Sequence, residues 1–170
     1  MTDGFAIAAL RPDHNRTGFR CGTPALDRYF REQVTQDQRR RAAGCYVAVE
    51  TATSRVAGYY TIAASGIPLT GLPEALSRRL PRYPSVPVAR LGRLAVGLDF
   101  QRRQLGAALL WDAAARAARS ELVAFALIVD AKDATAQAFY QHHGFIAFGD
   151  QPLQLMFPLS ELKRRAPEPG

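Results

Sequence analysis

A chain of 170 residues and 18.6 kDa has the length of one domain and can bury a sizeable core. With 48% hydrophobic and 22% charged residues it is neither disordered nor fibrous in composition. Its net charge of +7 is concentrated: seven arginines stand between Arg78 and Arg103 against the one acid Asp99, a density that suits a polyanionic partner such as a cofactor phosphate or a nucleic acid.

No apolar run approaches the ~18–20 residues of a membrane span. The start, Met1-Thr2-Asp3-Gly4, lacks the basic region of a secretory signal, so a cytoplasmic protein with no membrane contact is expected. Cys21 and Cys45 stand apart from any ligand-spaced His or Cys and signal neither a metal site nor a disulfide framework.

In chain order, Phe5–Leu10 reads as a first strand. Thr23-Pro24 supplies an N-cap and a proline at the first helical position, and Leu26, Tyr29, Phe30 and Val34 recur at helical spacing up to Gly44, predicting one helix of roughly 18 residues. Cys45–Glu50 and Val56–Ala63 form a hairpin. The proline-punctuated segment from Ser65 to Pro87 is expected to be a surface excursion, with one short helix over Glu74–Leu80. A strand over Ala89–Val96 leads through a turn into a long helix, Leu105–Arg119, in which Trp111 is expected in the core. Leu122–Val129 reads as a buried strand and Asp133–His143 as a helix stopped by Gly144, with His142 and His143 as helix-end residues and not as metal ligands. Two short strands, Phe145–Phe148 and Leu153–Phe157, complete an α/β chain: a single domain over residues 1–160 and a charged tail over 161–170.

A strand, turn and helix with glycine at the helix entry is a phosphate-binding geometry, because the first N–H groups of the helix and its dipole point outward there. Here the entry reads Gln101-Arg-Arg-Gln-Leu-Gly-Ala-Ala108, and Arg102 and Arg103 add charge. Arg103-Gln-Leu-Gly106-Ala-Ala108 resembles the Arg/Gln-x-x-Gly-x-Gly/Ala signature of the GCN5-related N-acetyltransferases (GNAT), and Phe139-Tyr140-Gln-His-His-Gly144-Phe145 is similar to that family's second signature. The resemblance implies a mixed, mostly antiparallel sheet with a splayed centre, flanked by helices.

Within that family, Arg90-Leu-Gly-Arg-Leu-Ala-Val96, Cys21-Gly-Thr-Pro-Ala-Leu-Asp27-Arg-Tyr-Phe30 and Met156-Phe157-Pro158 are similar to the acetyltransferase toxins of bacterial toxin–antitoxin pairs, which acetylate the α-amino group of aminoacyl-tRNA and stop translation. That likeness implies acetyl-CoA as cosubstrate, with no metal. It also implies aminoacyl-tRNA as acceptor, a neighbouring antitoxin of the ribbon-helix-helix type, and a homodimer. The backbone of Leu94, Ala95 and Val96 would hold the pantetheine arm, and Arg102, Arg103, Gln104, Leu105, Gly106, Ala107 and Ala108 the pyrophosphate. Tyr140 would be the general acid for the departing thiolate, and Asp133 stands where relatives carry a cofactor-side Asn. Arg78, Arg79, Arg82, Arg90 and Arg93 would face the tRNA.

The residues support this chemistry independently. Acyl transfer to an amine needs a neutral amine and a proton for the leaving thiolate, and a tyrosine of reference pKa ~10 keeps its proton at neutral pH. The fourth strand carries Arg90 and Arg93 where an acidic base could stand. An α-amino group at pKa ~7.7–8.0 is partly neutral without such help, about 3.5 kcal/mol easier to deprotonate than a lysine. Three alternatives remain open: an acetyltransferase for a small amine or protein N-terminus, a silent acyl-CoA-binding regulator, and a nucleic-acid-binding module without chemistry.

Overall fold

The computed structural model describes residues 3–162; most of the expected tail, from 163 onward, lies outside the described residues. The chain forms a seven-stranded sheet in the order β1 (Phe5–Ala9), β2 (Gly44–Glu50), β3 (Val56–Pro68), β4 (Ser85–Val96), β5 (Ala126–Asp130), β7 (Gln154–Pro158), β6 (Ile146–Ala147). Strands β4 and β5 pair in parallel, while β1 with β2, β2 with β3, β5 with β7 and β6 with β7 pair antiparallel. Two compact units make up the chain, residues 3–63 with 92–113, and residues 64–91 with 114–162.

The first unit holds β1 (Phe5–Ala9), α1 (Pro24–Glu32), α2 (Val34–Arg39), β2 (Gly44–Glu50), the first part of β3 (Val56–Pro68), the last part of β4 (Ser85–Val96) and the entry of α4 (Leu105–Arg119). On one face of its sheet Phe30 of α1 stacks on Tyr59 of β3, with centroids 4.3 Å apart, and Phe19 meets both rings edge-on. Tyr59 also donates its hydroxyl to the Leu26 carbonyl at 2.7 Å, which ties α1 to the strand. On the other face Tyr60 donates to Asp112 of α4 at 2.5 Å. Alternation along one strand thus serves two layers of helix.

The single helix expected behind Pro24 is two. Arg16 places its guanidinium on the carbonyls of Phe30 (2.6 Å) and Arg31 (3.3 Å), the groups that a continuous helix would offer to Val34 and Thr35. Gln33, at φ −122° and ψ −27°, is the break. Thr23 is extended at the N-cap position, as read, but its hydroxyl makes no capping bond. Instead Asp27, buried inside the first turn, accepts the Cys21 N–H at 2.8 Å.

The second unit holds the rest of β3, α3 (Glu74–Ser77), the start of β4, the end of α4, β5 (Ala126–Asp130), α5 (Ala134–His142), β6 (Ile146–Ala147) and β7 (Gln154–Pro158). Ile67, Leu76, Val86, Val88, Ile128 and Met156 form one of its apolar clusters. The expected surface excursion is shorter than read, since β3 continues to Pro68 and β4 already begins at Ser85. Pro87 is tolerated inside a strand because its carbonyl still accepts from Phe125 (2.8 Å) while the ring removes only a donor. Helix α3 stops at Ser77, and the chain tightens into three-residue turns at Arg79 and Leu80 before Pro81. The apolar run at Leu122–Val129 also misleads: Leu122 and Val123 are 78% and 81% exposed and the strand starts at Ala126. A run without alternation carries hydrophobicity but no register, so its ends are not readable.

Candidate active site

The turn after β4 has a backbone form that suits an anion. Following a 3₁₀ turn at Leu98–Phe100, Arg102 (φ +66°) and Gln104 (φ +60°) are both left-handed, and the helix starts at Leu105 with Ala108 N–H on the Gln104 carbonyl at 3.1 Å. Alternating hand turns successive N–H groups to one side, adding to those that the first turn of a helix leaves without internal acceptors. Buried Leu105 anchors the entry, and Gly106, Ala107 and Ala108 keep its outer side low. Arg102 and Arg103 are exposed. Arg103 is drawn 3.7 Å from Glu50 of β2 and sits over the Phe100 ring, whose other cation is Arg55 at 4.8 Å.

Strand β4 runs on beyond its pairing with β5. Its ladder with β5 covers Val88–Leu91 only, whereas the strand runs on to Val96. Leu94, Ala95 and Val96, whose backbone the sequence reading assigns to the pantetheine arm, lie in this last part of the strand. Gly58 of β3 lies close against this stretch: a Cβ there would lie 2.8 Å from the Ala95 carbonyl and 2.9 Å from Leu109 of α4, so only glycine fits. Gln101 closes the end, donating its side-chain amide to the carbonyls of Val96 (3.2 Å) and Cys21 (3.1 Å). Its position in the turn was legible, but its amide contact was not.

Alternation fails at one point of β4. A Cβ on Gly92 would lie 3.0 Å from Thr61 Oγ1 on β3, and Thr61 shares the face of Tyr59. The next residue, Arg93, holds its guanidinium 3.5 Å above the Tyr29 ring, on that same face. Two consecutive residues on one face mark a bulge-like interruption, a device that re-aims backbone groups near sites. Tyr29 in turn donates to Asp37 at 2.7 Å, and burial together with this bond pushes its phenol well above the ordinary range. Thr61 Oγ1 is buried and meets no hydrogen-bond partner among the described residues.

The second signature folds as a helix end. Gly144 is left-handed at φ +93°, Phe145 donates to the Tyr140 carbonyl at 3.1 Å, and Gly144 donates to the Gln141 carbonyl at 3.0 Å. This pair of bonds is the Schellman motif, and its usual apolar contact is the Tyr140–Phe145 ring pair, with centroids 5.6 Å apart. The spacing F-Y-x-x-x-G-F therefore sets the pose of Tyr140. The residue is buried, and desolvation pushes its phenol up to about 12, so it bears its proton throughout the physiological range. At the other end of α5, Asp133 is the N-cap and accepts the Ala136 N–H at 2.8 Å. His143 rests against Phe139, and its imidazole is held below its ordinary pKa by burial and by His142.

The arginines fall into two kinds. Arg90 is paired with Asp130 at 2.5 Å and Arg93 is laid on Tyr29, so both are fixed in position. Arg78, Arg79 and Arg82 are exposed, and the Arg78–Glu74 pair at 2.7 Å joins two largely exposed side chains. Trp111 is half-buried, not in the core, and lines a groove of about 810 Å³ beside α4 with Phe5, Ile7 and Asp112.

A tRNA-acetylating toxin of Mycobacterium tuberculosis is 33% identical over 149 residues, covering 86% of this chain and 87% of the relative. The structure of AtaT complexed with acetyl-methionyl-tRNAfMet matches with a TM-score of 0.82 at 26% identity, over 94% of this chain and 98% of that one. A mutant of AtaT bound to the C-terminus of the antitoxin AtaR matches with a TM-score of 0.77 at 26% identity, over 95% and 98%. The acetyltransferase (GNAT) family model matches residues 7–145, which contain the turn before α4, the last part of β4 and the Tyr140 helix end, and the chain belongs to that family.

Proposed function

We propose that this acetyltransferase moves the acetyl group of acetyl-CoA onto the α-amino group of aminoacyl-tRNA, that it thereby blocks translation in the cytoplasm, and that an antitoxin restrains it. The observation that carries the reading is the likeness to a tRNA-acetylating toxin over nearly the full length of both chains. The arginine-rich stretch from Arg78 to Arg103 and the absence of a carboxylate on β4 support it, because they suit a polyanion bearing an amine of low pKa. A homodimer and an antitoxin of the ribbon-helix-helix type belong to the same reading.

The residues present fit acetyl-CoA, which when bound supplies an activated acetyl thioester. N–H groups of the turn from Arg102 to Ala107 would hold the pyrophosphate, as their two left-handed residues and helix entry favour. Backbone groups of Leu94, Ala95 and Val96 would hold the pantetheine arm as an added strand does, with the Val96 carbonyl already engaged by Gln101. Asp133 would act by capping α5 and so keeping the Tyr140 helix in place. As the amine nitrogen bonds to the acetyl carbon and the carbon–sulfur bond breaks, the amine proton leaves to water and the sulfur gains a proton. Tyr140 would give that proton. Its raised pKa keeps the donor form available, and donation is coupled to bond breaking, because a phenol at about 12 does not protonate a free thiolate of pKa ~8.5. Arg93 and Arg90 would fix the acceptor end, and Arg78, Arg79 and Arg82 the nucleic-acid backbone.

The test uses labelled acetyl-CoA with aminoacylated and deacylated tRNA, followed by ester hydrolysis. Recovery of an N-acetyl amino acid from the charged tRNA alone is expected. Label on deacylated tRNA, or none on either, overturns the reading.

A further inference from the structure

Among the described residues, Tyr83 is the one Phe, Tyr or Trp side chain that is exposed, at 66%; the others are buried or half-buried. It follows Arg82 directly and shares the segment 78–83 with Arg78 and Arg79, all of them exposed. The segment is presented rather than loose. Leu76 of α3 is buried in the Ile67–Met156 cluster and Leu80 packs against that cluster. Arg78 closes on the Glu74 carbonyl, Arg79 on Leu76 and Leu80 on Ser77, at 3.1 to 3.2 Å. Tyr83 itself donates its N–H to Pro81 at 2.8 Å, and Pro81 and Pro84 bracket it with fixed φ angles. Little backbone entropy is left to lose when a ligand meets this surface.

We propose that Tyr83 is a stacking platform for an unpaired base of the acceptor tRNA, with Arg78, Arg79 and Arg82 holding the neighbouring phosphates; this rests on the aminoacyl-tRNA reading above. Exposed aromatics interleaved with cations are how proteins grip single-stranded nucleic acid: the ring takes a base face, and the guanidinium groups take the backbone. Charged tRNA offers such bases, since its amino acid sits on a single-stranded 3′ end. An acidic protein would use the arginines and leave the ring without a π partner, so the aromatic favours nucleic acid.

The ring and the arginines separate by salt. Stacking releases no counterions, whereas each phosphate that is no longer neutralised flattens the slope of log affinity against log salt by about 0.7–0.9. Tyr83→Ala is expected to weaken binding of fluorescently labelled tRNA, and to raise KM for charged tRNA, by about five- to 150-fold, with the salt slope unchanged. Tyr83→Phe should stay within about twofold of the parent, because the ring is retained. Arg82→Ala should flatten the slope. Turnover at saturating tRNA, KM for acetyl-CoA and Tm should match the parent in both Tyr83 variants.

Unchanged tRNA binding by Tyr83→Ala overturns the platform and leaves this surface to a protein partner. A loss as large in Tyr83→Phe as in Tyr83→Ala overturns it too, by assigning the effect to the hydroxyl. A parent that binds tRNA in a Tyr83-dependent manner yet transfers no acetyl supports the platform and overturns the aminoacyl-tRNA reaction instead.

Discussion

The role proposed for Tyr140 rests on its environment. Burial lifts the phenol to about 12, so its own ionisation lies far above the pH range in which the acceptor amine loses its proton. kcat/KM for the acceptor should therefore rise with pH through the amine's pKa and then stay level to about pH 10, with no descending limb from Tyr140. A pH–rate profile on a hydrolysis-resistant amide analogue of the aminoacyl end checks this, and a fall between pH 8 and 10 would show the hydroxyl to be far more acidic. Tyr140→Phe keeps the ring against Phe145 and removes only the donor, so acetyl-CoA affinity by calorimetry should hold while turnover falls about 10²–10⁴-fold. Thr61 poses the opposite case, a buried hydroxyl beside Gly92 that no described residue satisfies. An unmet polar group of this kind costs ~1–3 kcal/mol. Thr61→Val should leave turnover unchanged and raise Tm by about 2–4 °C per kcal/mol recovered, read in a thermal melt. A more stable but slower variant would show that the hydroxyl meets the reactants.

At the scale of elements, the two signatures act as helix ends, one opening α4 and one closing α5. Both were legible in the sequence because helix ends are local: a glycine or a left-handed residue at a fixed offset decides them. The hairpin, the order of elements and the Tyr140 spacing could be read for the same reason. What could not be read depends on partners distant in sequence. Arg16 splits the first helix from 14 residues away, and Asp130 claims Arg90 from the next strand. Tyr29 seats Arg93 across the first unit, and the exposed Leu122 and Val123 look in sequence like strand core. Gly144 gives the local logic a test. An L side chain at φ +93° costs ~1–2 kcal/mol, so Gly144→Ala should lower Tm by about 2–8 °C. It should also lower turnover by loosening the Tyr140–Phe145 pair, while acetyl-CoA still binds at the α4 entry. Equal loss of cofactor binding and turnover would mean that the α5 end does not act through Tyr140.

For the whole chain, a net charge of +7 sets how a polyanionic acceptor is found and held, and its placement decides which step each arginine controls. Exposed Arg78, Arg79 and Arg82 can neutralise phosphates at little cost. Even the Arg78–Glu74 pair joins side chains 73% and 79% exposed, where ion pairs are worth little and are readily exchanged. Arg90 and Arg93 are already engaged, one by Asp130 and one by the Tyr29 ring, and are suited to orientation more than to bulk attraction. KM for charged tRNA should therefore rise steeply with salt, while KM for acetyl-CoA, which on the proposed reading is held largely by backbone N–H groups, should move far less. Replacing Arg78, Arg79 and Arg82 together by Ala should raise KM for tRNA at low salt and flatten its salt slope by about 0.7–0.9 for each phosphate left without a guanidinium, with kcat preserved. Arg93→Ala should do the reverse, reducing kcat with little change in slope, and Arg93→Lys should not restore it, because a lysine ammonium lacks the planar group that lies on Tyr29. Kinetics at several salt concentrations distinguish the two sets. A triple variant with the parent's slope would place the tRNA backbone elsewhere on the protein.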